Sequence, residues 1–113
     1  VASVTDGQRS TLGRHVYAAL SNQLLDVLDD KDAVRARVGE GVSLPALADQ
    51  LHQLVQREAN ICQQLGELRA RDDDVPAAYV HWSWAAHLRT FDAQRYVEQL
   101  WLAELGTDLD NSA

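Results

Sequence analysis

The chain has 113 residues, 46% of them apolar, with seventeen acidic against ten basic side chains and a formal charge of −7. That is room for one domain, too apolar for a disordered chain and too negative to favour a surface that tracks a phosphate backbone. A single cysteine excludes an intrachain disulfide and a multi-cysteine metal cluster, and it fits a reducing, cytoplasmic setting. No apolar run approaches the length needed to cross a bilayer, so no membrane insertion is expected. The chain begins at Val1 without a signal-like apolar segment, as a processed or excised piece would.

Residues 1–9 (VASVTDGQR) read as a polar lead-in. Ser10 or Thr11 is placed to cap a first helix carrying Leu12, Val16, Leu20, Leu24, Val27 and Leu28 along one side. Asp29, Asp30 and Asp32 oppose the helix dipole if the helix ends near them. The helix therefore either stops at about Asp29 and restarts near Asp32, or runs on to Val38. Gly39 and Gly41 stop it in both cases.

Ser43, with Pro45 in the first turn, opens a second helix. Leu44, Leu47, Leu51, Leu54, Ile61, Leu65 and Leu68 follow at spacings of three and four, with Glu58 in the one slot that should be apolar. Arg69 and Arg71 suit its C-terminal end. Asp72, Asp73 and Asp74 then form a loop and the next cap, with Pro76 just inside the third helix.

From Pro76 to Leu105 the apolar pattern changes sides. Val80, Trp84, Leu88 and Phe91 share one stripe, whereas Ala93, Tyr96, Val97, Leu100 and Trp101 lie nearly opposite. The switch predicts a break near residues 90–92, with Asp92 capping a fourth helix and Phe91 stapled onto Tyr96. Gly106 reads as a terminator and residues 107–113 as a polar tail. The expected fold is all-α, a single domain over residues 1–113 with loose ends at 1–9 and 107–113. It is an antiparallel bundle of three long helices, the last broken near residues 90–92 to give a fourth.

Motifs that carry chemistry are sparse. His15, His52, His81 and His87 form neither an HExxH pair nor a Glu-x-x-His set. Cys62 reads as a small core filler, and Gly39-Glu40-Gly41 is too short for a phosphate loop. The uninterrupted pattern from His52 to Gln64 argues against a helix-turn-helix. No catalytic residue, cofactor or metal is expected.

Two features stand out. Glu58, inside the apolar stripe, requires an ion-pair partner such as Arg14 or His15 of the first helix, or else a cleft open to a ligand or partner. The aromatics concentrate in the last third, where Trp82 lies about 160° around the helix from Trp84, so one buried face cannot hide both: either they fill opposite interhelical seams, or one belongs to an intermolecular surface. The expectation is a non-enzymatic protein–protein interaction module of the adaptor, regulator or chaperone-like kind. It would self-associate as a homo-oligomer, with Trp82, Tyr96 and Trp101 as anchors and Glu58 fixing register. One alternative is a ligand-binding or enzymatic bundle with a pocket near Glu58 and Cys62. Another is a DNA-associated regulator, which requires the scattered arginines to gather on one face; nucleic acid is otherwise not an expected partner.

Overall fold

The computed structural model describes the backbone of residues 6–112 and the side chains of residues 13–105. Four helices follow in order: α1 (Asp6–Ala36), α2 (Leu44–Arg71), α3 (Val75–Arg89) and α4 (Ala93–Ser112). The fold is all-α and its helices form a bundle. No described helix is long and apolar enough to cross a membrane.

The interior helix boundaries follow local chemistry. Ser43 Oγ accepts the Ala46 N–H at 3.4 Å, and Asp74 Oδ1 accepts the Ala77 N–H at 3.3 Å. Asp92 Oδ1 accepts the Arg95 N–H at 3.1 Å, and the Phe91 and Tyr96 rings lie 5.2 Å apart. The expected cap and staple therefore separate α3 from α4 without any glycine or proline. Gly39 and Gly41, with φ of 93° and 79°, close α1 in the left-handed region that side chains disfavour.

α1 does not break at its acidic cluster. Asp29 to Asp32 lie more than a turn from the helix end, where the dipole is weak, and Arg35 pairs with Asp32 at 2.6 Å. The outer ends differ from expectation. α1 begins at Asp6 rather than Ser10, and α4 continues past Gly106 to Ser112. An acid suits a first turn as well as a serine does, and a glycine costs an established helix only about 1 kcal/mol. Residues 1–5 and 113 lie outside the described residues.

α2 is the spine that each of the other helices touches. α1 runs antiparallel to it, burying Leu20 and Val27 against Ile61 and Leu65, with Tyr17, Leu24, Leu54 and Leu68 at the edge. α3 lies antiparallel along the C-terminal half of α2, and α4 along its N-terminal half. There Ala93 and Val97 join Val34, Val38, Leu47, Ala48 and Leu51 in a second cluster. At the far end the Glu104 side chain presses so closely on Gly39 that a Cβ there would collide with it.

The α2–α3 seam corrects the expected stripe. The buried residues of α3 are Ala78, Ala85 and Leu88, while Val80 and Trp84 face outward. Small residues explain the rotation: Ala59 and Gly66 of α2 lie beneath this seam, so alanines allow a close approach. Of the two expectations for Trp82, a seam filler or an exposed anchor, the structure shows the first: it is half-buried over Gly66, where a Cβ would overlap its indole.

Candidate interaction surface

Glu58 points from α2 into the space between α1 and α3 and is only 2% exposed. Lys31 Nζ of α1 donates to Oε1 at 2.6 Å, and the Trp84 indole N–H of α3 donates to Oε2 at 3.1 Å. One buried carboxylate thus joins three helices with both oxygens engaged, which offsets the cost of removing it from water. Its cationic partner is Lys31, not Arg14 or His15. Cys62, a turn further along α2, is buried. Burial pushes its thiol up, the Glu58 charge adds to this, and Lys31 opposes it. It is a protonated core side chain, far from an activated nucleophile.

Trp84 is the outward end of this relay. Its indole is 50% exposed, tied at one edge to the buried carboxylate and tilted against the His87 ring at 5.3 Å. An exposed tryptophan held in one orientation loses little side-chain freedom when a partner covers it.

A second link joins α1 to α3 nearer the other end. The Tyr17 ring meets His81 edge-on at 6.5 Å, and the Arg69 guanidinium sits 4.1 Å above the same tyrosine. Burial, then the Arg69 charge, lowers the His81 pKa below its ordinary 6.5. The folded protein favours the neutral ring, so the unfolded chain binds the proton first. Stability present above pH 6.5 is therefore lost as pH falls toward the lower folded value. We expect His81→Phe to remove this portion of the acid sensitivity in melting curves recorded from pH 8 to 5. An unchanged pH profile would contradict it.

The outer face of α3 carries Pro76, Tyr79, Val80, Ser83, Trp84 and His87, all exposed; Tyr79 and Val80 are 69% and 67% accessible. From Val75 to Ala86 the chain contains no acidic residue and no lysine or arginine, only His81 among titrating groups of that range besides Tyr79. In a protein of charge −7 this is an unusually neutral surface.

The structure spreads the four residues singled out from sequence over three helices. Glu58 is buried, Trp82 fills the α2–α3 seam, Tyr96 is half-buried against the core, and Trp101 is 40% exposed on α4. Glu58 bonds none of the other three. Sequence reasoning missed Lys31 and the outward role of Trp84. A signal for Lys31 existed: it occupies the slot between Val27 and Val34 in the α1 stripe, as Glu58 does between Leu54 and Ile61 in α2. Opposite charges interrupting two adjacent antiparallel stripes call for each other.

Two shallow surface grooves have volumes of about 340 and 350 Å³. One runs between α1 and α2 past Val34, Arg37, Leu54 and Arg57; the other lies by His52, Phe91 and Asp92. Neither is lined by Glu58 or Cys62. Among the described residues, no three His, Cys, Asp or Glu side chains converge as a metal cluster. No family model, no curated protein and no solved structure matches this chain.

Proposed function

We propose that this protein is a non-enzymatic helical interaction module, of the adaptor or regulator kind, that docks a protein partner on the outer face of α3. The observation that carries this reading is Trp84: half-exposed on a face whose own helix carries no acid, lysine or arginine from Val75 to Ala86, and fixed in orientation by a buried carboxylate. Tryptophan and tyrosine supply large contact areas at low entropic cost, and charges are depleted at the centres of interfaces. Tyr79 and Val80 extend the same face by a turn.

The test is photo-crosslinking in cells that make the protein. A benzophenone side chain at position 80 is expected to give discrete protein adducts, whereas one at exposed Gln64 of α2 is not. Equal, diffuse labelling from both positions would contradict the reading.

A further inference from the structure

We infer that Lys31 is a conformation-gated acylation site: closed to acyl donors while α1 lies on α2, reached when that part of α1 lifts, and unable to close again once modified. Of the ten basic side chains Lys31 is the only lysine, and the rest are arginine. Lysine is ordinarily a surface residue, yet this side chain is 16% exposed, while Arg35, Arg57 and Arg89 lie exposed. Buried ion pairs more often use arginine, whose guanidinium grips both oxygens of a carboxylate. Here the Trp84 indole already holds Oε2 of Glu58, so one oxygen remains and a single ammonium suits it. The one side-chain amine that can be acylated is thus also the cation that joins α1 to the buried acid.

An ammonium that donates to a carboxylate at 2.6 Å has no lone pair to offer, and buried Val27 and Val34 flank it along α1. When this turn opens, the amine loses a proton to water and its nitrogen attacks the carbonyl carbon of an activated acyl group, a thioester or an acyl phosphate. A C–N bond forms, the C–S or C–O bond breaks, and the thiolate or phosphate leaves with the electron pair. A guanidinium, always protonated, would not react. The product amide is neutral and bulkier than the ammonium. It cannot balance the Glu58 charge, and a buried carboxylate without its cation opposes the return of α1 to α2.

The gate lies on the α1 side of Glu58 and operates with the α3 face uncovered, so its failure would leave the docking reading untouched. Treatment with N-hydroxysuccinimidyl acetate, followed by peptide mass spectrometry, tests it. In folded Gln64→Lys protein, Lys31 is expected to acetylate at least about 10-fold more slowly than the amine introduced at that exposed position of α2. Urea below the unfolding transition should speed Lys31 alone. Wild-type protein acetylated in urea, cleared of thiol and phenol esters with hydroxylamine and returned to buffer, should unfold at a lower urea midpoint than untreated protein. Lys31→Arg protein carried through the same treatment should keep its own midpoint. Equal rates at the two amines in the folded protein, or a Lys31 that stays silent until the whole chain unfolds, overturns the gate. A wild-type midpoint that acetylation leaves unchanged overturns the block on closure.

Discussion

Lys31→Met is expected to destabilise the fold by about 3 kcal/mol, because it leaves the Glu58 carboxylate buried without its cation. The Trp84 indole alone cannot replace a charge at 2.6 Å. Glu58→Leu in the same chain should restore most of that loss, since a packed apolar pair often equals a buried ion pair in stability. The double variant nonetheless frees the Trp84 indole, so its recovery of stability should come with weaker association. Urea unfolding of all variants at one fixed, low protein concentration keeps any association out of the comparison. A single variant that unfolds at the wild-type midpoint would show that the pair contributes nothing.

Gly66→Leu is the second large effect, and its sign opposes helix propensity. In an isolated helix the substitution would stabilise by somewhat under 1 kcal/mol. Here any Cβ overlaps the Trp82 indole, so overpacking should cost about 3 kcal/mol. Trp82→Ala vacates the space the leucine needs, and the double variant should be markedly more stable than the sum of the two single losses predicts. Strictly additive losses would mean that Trp82 does not rest on Gly66.

Much of the fold was legible in the sequence because caps and turns are local. Ser43, Asp74 and Asp92 mark helix starts by their own side chains, and Gly39 and Gly41 mark a stop by backbone freedom. The α2 stripe likewise reported its burial directly. The rotation of α3 was not legible, because the residues that set it are small. Ala78 and Ala85 look neutral beside Val80 and Trp84, and only their opposition to Ala59 and Gly66 across a close seam selects them as the buried face.

Glu58 was conspicuous as an interruption, yet its meaning depended on tertiary register. Lys31 lies 27 residues away, and only the antiparallel alignment of α1 on α2 brings it within reach. Trp84 attracted attention as an aromatic of the apolar stripe, but its half-exposure follows from the rotation of α3. Buried and docking surfaces share a composition, and only the packing of the other helices distinguishes them.

The most direct measurement is ¹⁹F NMR of protein carrying 5-fluorotryptophan, titrated with the partner captured by crosslinking at position 80. The three tryptophans give three probes: Trp82 in the α2–α3 seam, Trp84 on the α3 outer face and Trp101 on α4. The Trp84 resonance is expected to shift as the partner is added and to stay put in the Val80→Glu variant, while Trp82 and Trp101 hold their positions. A static Trp84 signal, or movement confined to Trp101, would contradict the assignment of α3 as the docking face.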